Sequence, residues 1–114
     1  MKVSVCDDAQ DERSAMPINE RTAMYNAFEK LEILGGRLGS PHSSSVRGVP
    51  ETLNEVRPRA GKSPWRAFNR RIGSEMVIGA IGPEALVNSS GFRQAARVAL
   101  ARLRKYEQEK VDYE

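Results

Sequence analysis

The sequence predicts an α+β fold: a small antiparallel sheet of three to four strands, with a helical segment before it and a helix packed on it after it. Three observations carry this. From residue 19 to 34, Met24, Ala27, Phe28, Leu31 and Leu34 recur at three- and four-residue spacing, as in a helix with one apolar stripe. Residues 52–81 hold three strand-like runs, the last two separated only by Gly73 and Ser74, a length suited to a hairpin. After Gly91 helical spacing returns with Phe92, Ala95, Ala96, Ala99, Leu103 and Tyr106.

Taken in order, residues 2–6, "KVSVC", are compatible with a short strand at the head of an acidic amino-terminal arm, residues 1–18. Pro17 and Asn19 stand where the first helix starts, and Gly35 and Gly36 supply its left-handed stop. "GGRLG" follows a helix and lacks the Gly-Lys-Ser/Thr ending of a phosphate loop, so capping explains it. Residues 37–50 form a connection rich in Ser, Gly and Pro and read as a mobile loop. The strands are expected at 52–57, 65–72 and 75–81. "MVIGAI" in the third is apolar on both faces, so it should be the most buried and covered by helices. Ser89 or Ser90 can cap a closing helix over residues 91–109.

With 114 residues the chain fits one domain with a core of its own. Its longest apolar run, Met76 to Ile81, falls far short of the ~20 residues of a membrane span. The amino terminus turns acidic too soon for a secretory signal, which points to the cytoplasm. Cys6 is the only cysteine and His42 the only histidine. That excludes a disulfide framework and a Cys/His zinc site, and a catalytic triad would have to draw on His42 in the loop.

Charge is unevenly placed. Residues 1–36 carry four Lys/Arg against seven Asp/Glu, residues 37–105 thirteen against four, and residues 106–114 one against four. A basic middle between acidic ends is the footprint of a polyanion-binding surface, and charge alone fits solvated faces equally well. Thirteen of the eighteen basic residues are arginine, whose fork of donors matches phosphate.

The succession "LNEVR", "WRAFNRRI", "EMVIGAI" and an Ala/Arg-rich helix resembles the RelE/ParE superfamily of type II toxins, in particular its HigB-like and phage-derived members. Leu53, Glu55 and Arg57 match a Leu-x-Glu-Leu-Arg strand, and Trp65 and Arg66 match a Tyr-Arg-Val strand. The aliphatic run 76–81 matches the third strand in character, so the resemblance spans roughly residues 24 to 106. Relatives often follow that run with Phe-x-Lys-Lys, where this chain has Gly82, Pro83, Glu84 and Ala85.

The resemblance implies a RelE-like fold and an endoribonuclease that cuts mRNA on the ribosome without metal or cofactor, inhibiting translation until a cognate antitoxin neutralises it. A ParE-like gyrase inhibitor and a non-catalytic RNA- or protein-binding module of the same fold stay open. The implied chemistry drives the RNA 2′-hydroxyl onto the adjacent phosphate and needs a base and stabilisation of a dianionic transition state. Arg66, Arg57 and Arg70 fall on neighbouring strands, where they can converge on one phosphate. Glu55 serves as base if its pKa is raised; among arginines a lowered pKa is expected, with the carboxylate orienting a guanidinium. Arg59 and Lys62 suit phosphate clamps, and Arg71, Arg93 and Arg97 extend an RNA-binding face. Each arginine fits a sheet-surface ion pair as well. Trp65 either stacks a base or fills the core, and its alternation opposite Arg66 favours the core.

Overall fold

The computed structural model describes residues 1–113. It is an α+β arrangement of five strands and three α-helices: β1 (Lys2–Val5), α1 (Asp7–Ser14), α2 (Ile18–Leu34), β2 (Ser43–Ser45), β3 (Asn54–Val56), β4 (Trp65–Ile72), β5 (Glu75–Pro83) and α3 (Ser89–Tyr113). The strands form one sheet in the order β1-β5-β4-β3-β2. All neighbours run antiparallel except β1, which lies parallel to β5. The sheet is therefore mixed and larger than the three or four antiparallel strands expected. β1 falls where a short strand is expected at residues 2–6; the additions are the three-residue edge strand β2 and the parallel pairing of β1 with β5, whose partners lie far apart in sequence, and local periodicity encodes neither.

The acidic arm is ordered as β1 and α1. Asp7 and Asp8 occupy the first turn of α1, where carboxylates offset the positive helix end. Glu12 accepts hydrogen bonds from the Ile81 N–H and from Arg102, both at 3.0 Å, and so fastens the arm to β5 and α3. Likewise the 37–50 connection is not wholly irregular, because β2 pairs with β3 within it. α2 ends at Gly35 with positive φ (53°), but ψ is −131°, not that of a left-handed helical cap, and Gly36 continues into a 3-10 turn over Gly35–Arg37. For α3 the cap is Asn88, whose Oδ1 accepts the Gly91 N–H at 2.9 Å, in place of Ser89 or Ser90.

Helices cover both faces of the sheet. Met24, Phe28 and Leu31 of α2 pack on one side with Val56, Met76 and Ile78. Ala96, Ala99 and Leu103 of α3 pack on the other with Phe68, Ile72 and Val77. β5 is buried along nearly its whole length, as its two-sided apolar run requires. The ladder slips at Gly79, since Phe68 pairs with Ala80 and Asn69 with Ile78. This bulge turns Ala80 toward α3 although Ile78 faces α2.

α3 crosses β5 at glycines. A Cβ on Gly79 would stand 2.9 Å from the Ala99 carbonyl oxygen, and one on Gly82 2.4 Å from the Ala95 Cβ. No described helix is long and apolar enough to cross a membrane.

Candidate functional site

β3 and β4 place the central side chains by simple alternation. Glu55 lies opposite Phe68, and Phe68 is two residues from Arg66, so the carboxylate and the guanidinium rise from the same face of the sheet. Arg66 is only 1% exposed. Its Nη1 donates to the carbonyls of Ser63 (2.7 Å) and Trp65 (2.9 Å), and its Nη2 donates to Glu84 at 2.7 Å. The Nε lies 3.6 Å from Glu55 Oε1. Arg57, just past β3, brings its own Nε to 3.7 Å from the same oxygen. Two arginines thus flank one carboxylate at distances longer than a hydrogen bond.

Burial is the largest influence on the titration of this group. The Glu55 carboxyl is pushed above its ordinary value because desolvation outweighs the attraction of Arg66 and Arg57 and the weaker help of hydrogen bonding from Ser44 and Arg66. The expected lowering is therefore overturned: charges at ion-pair distance do not replace the water that the carboxylate has lost. Burial also lowers the Arg66 pKa, with Glu55 and Glu84 opposing it.

The turn after Arg57 brings in the next cation. Pro58, Arg59, Ala60 and Gly61 fold tightly, with Arg59 at φ 54° and Ala60 at φ 56°, two successive left-handed residues that carry a Cβ penalty. Buried Glu20 of α2 holds this turn by accepting Arg59 Nη2 and the Ser63 hydroxyl, the latter at 2.5 Å. Arg57 packs against Gly61, where a Cβ would lie 3.3 Å from Nη2.

Arg70 does not join Arg57 and Arg66. Its Nη1 donates to Glu51 at 2.8 Å, and its Nη2 lies 3.6 Å from Glu107 of α3. Arg104 donates to the same Glu51. Hydrogen bonds from Arg104 and then Arg70 hold the Glu51 carboxyl below its ordinary value. Only two of the three arginines expected to converge do so, and the third ties the segment before β3 to α3.

The remaining basic residues are spread out. Lys62, Arg71, Arg93 and Arg97 are exposed; Arg71 donates to the Gly73 carbonyl and Arg93 to the Ser89 hydroxyl. Trp65 is half-buried against the α2-side core. Glu84 and Glu20 were not singled out by sequence. Only the pairing of Trp65 with Pro83 at the end of the β4-β5 ladder shows that Glu84 meets Arg66.

Comparison with protein-family models, curated proteins and solved structures gives no match. Chemically, the Glu55 pair offers a carboxylate disposed to take up a proton beside a half-exposed guanidinium. Among the described residues no three His, Cys, Asp or Glu side chains gather as a metal site.

Proposed function

We propose that this chain is a toxin of a type II toxin-antitoxin system, of the RelE/ParE kind, acting as an endoribonuclease on ribosome-bound mRNA. One observation carries the reading. Glu55, with its pKa raised by burial, lies within 3.7 Å of both Arg57 and Arg66. A raised pKa makes this carboxylate a stronger base than an ordinary glutamate, the direction that removal of a proton from a 2′-hydroxyl calls for. The order of elements, with a strand and helices ahead of a meander and a closing helix, fits the same reading.

In this proposal the roles of the arginines differ. Arg57, whose side chain is 32% exposed, meets the phosphate and stabilises the charge that develops on it. Arg66 positions Glu55 and Glu84 while its own donors stay with protein acceptors. Glu84, in the place of the family's lysines, supplies no charge to the phosphate. A cognate antitoxin would silence the toxin by covering the basic face.

Induced expression followed by mapping of mRNA 5′ ends tests this. Cuts within translated codons are expected, reduced about 10²- to 10⁴-fold by Glu55→Gln, the range typical for loss of a general base. Arg57→Ala should abolish them too. Intact mRNA overturns the nuclease reading, and intact mRNA accompanied by DNA damage favours gyrase inhibition instead.

A further inference from the structure

On the α2 side of the sheet Arg57 faces a second environment, a cleft of about 310 Å³ between α2 and the β3 edge. One wall is a polar stripe of α2: Asn19, Thr22, Asn26 and Lys30 recur at three- and four-residue spacing and are all exposed. The other wall is His42, Arg57 and Arg59. Backbone pairing joins the first two, since the Arg57 N–H donates to the His42 carbonyl at 2.8 Å. Leu38, with the fully buried Val56 beneath, closes the floor between the walls.

Three features distinguish this cleft from an ordinary gap beside a helix. Although the chain has fifteen Asp and Glu, none lines it. Glu20 offsets Arg59 from behind, which leaves Lys30 and Arg57 as the cations facing the space. The buried Arg57 Nε has no hydrogen-bond acceptor, because the Glu55 oxygen stands off at 3.7 Å. Arg59 lies in the left-handed turn, a kind of strained backbone that clusters at ligand sites.

We propose that this cleft binds a nucleoside monophosphate, with Lys30, Arg57 and His42 around the phosphate and the base laid over Leu38 between the walls. The volume lies at the lower end of the range for small-molecule sites, and a few convergent polar groups over an apolar floor is their usual composition. Arginine supplies paired donors to phosphate oxygens, and lysine adds a point charge. Asn19 and Asn26 on the α2 wall carry amide donors and acceptors of the kind that ribose and base edges need. The inference stands on the cleft alone, so an intact transcriptome in the expression experiment leaves it standing.

Titration of the full chain with the four 5′-ribonucleoside monophosphates, followed by calorimetry and amide chemical shifts, tests it. Saturable one-site binding of at least one nucleotide is expected, with shifts concentrated in residues 19–30, 38–42 and 56–59. The matching nucleoside without phosphate should bind about tenfold more weakly, the equivalent of one charge-assisted hydrogen bond. Lys30→Gln and His42→Gln should each weaken the nucleotide by a similar factor, and the exposed Lys30 can be exchanged without disturbing the core. The proposal fails if no nucleotide saturates or if shifts gather instead around Arg93 and Arg97. Unchanged affinity in both variants, or inorganic phosphate binding as tightly as the nucleotide, would also overturn it.

Discussion

Two carboxylates of the same sheet, Glu75 and Glu55, each lie among cations and respond in opposite directions. Glu75, at the start of β5, accepts hydrogen bonds from Lys110 at 2.7 Å, Tyr106 at 2.9 Å and the Ser4 hydroxyl. Hydrogen bonds led by Lys110 and Ser4 hold its pKa down at about 2 against the opposing effect of burial. Glu55 has two guanidiniums for company, but at 3.6 and 3.7 Å, and burial raises its pKa. Close hydrogen bonds led by Lys110 replace the hydration that Glu75 has lost, whereas at Glu55 two stand-off guanidiniums and weaker hydrogen bonding do so incompletely. One group is built to stay ionised and join β1, β5 and α3. The other is left ready to accept a proton.

The largest effect should come from the cation that serves Glu55 and Glu84 together. Arg66→Ala leaves the Glu84 carboxylate and two carbonyls without their donor and takes from Glu55 one of its two guanidiniums, and breaking such a buried pair costs about 3–5 kcal/mol. Urea unfolding should show this as a lower midpoint at unchanged slope. A cost below ~1 kcal/mol, the range of exposed pairs, would mean that the Glu55 cluster is no network and would blur the contrast with Glu75.

An intermediate effect is expected at Glu75. Glu75→Gln removes the charge from three donors, and hydrogen bonds to charged groups contribute about 1.5–3 kcal/mol. Because the folded pKa is depressed from 4.5 to about 2, the contribution is fully present above pH 4.5 and is lost as pH falls through about 2. Wild-type stability should therefore decline across that window, and the variant should lose this part of the decline. Denaturation midpoints at pH 2.5 and 6 compare the two directly.

Glu55 should show the smallest change and the opposite slope. Its folded pKa lies above 4.5, so the folded state binds its proton more readily than the unfolded chain, and its contribution is most favourable below pH 4.5 and fades as pH rises through the folded value. Glu55→Gln should shift stability at pH 7 by no more than ~1 kcal/mol, because an amide avoids the desolvated charge that makes buried ion pairs break even. It should also remove a negative slope above pH 4.5. A large loss at pH 7 would place Glu55 with Glu75 as a structural anchor and weaken the case for it as a base.

Much of this architecture was legible from local pattern. The apolar stripe of α2, its glycine stop, the β4-β5 hairpin around Gly73 and the amphipathic α3 stand close to where spacing places them, because each depends on residues within a few positions of one another. The parallel union of β1 with β5 was not legible, since Val5 meets Ile78 only after the whole chain has returned. Nor was the bulge at Gly79, which lets α3 approach and reverses which side chains face it. For the site, alternation along β4 put Arg66 and Arg70 on one face with Phe68, but it could not say that Glu55 would face them across β3 or that Arg70 turns to Glu51 and Glu107 while Arg66 turns to Glu84.

By itself, then, the sequence determined the α+β class, the positions of the main helices and the hairpin, and the concentration of arginine in the middle of the chain. Tertiary structure decided which carboxylate each arginine meets, how much water each pair keeps, and that α2 and β3 enclose a cleft without acidic walls. The division has one physical cause. Periodicity is a property of neighbours along the chain, whereas hydration and ion pairing depend on neighbours in space, and only the folded backbone brings those together.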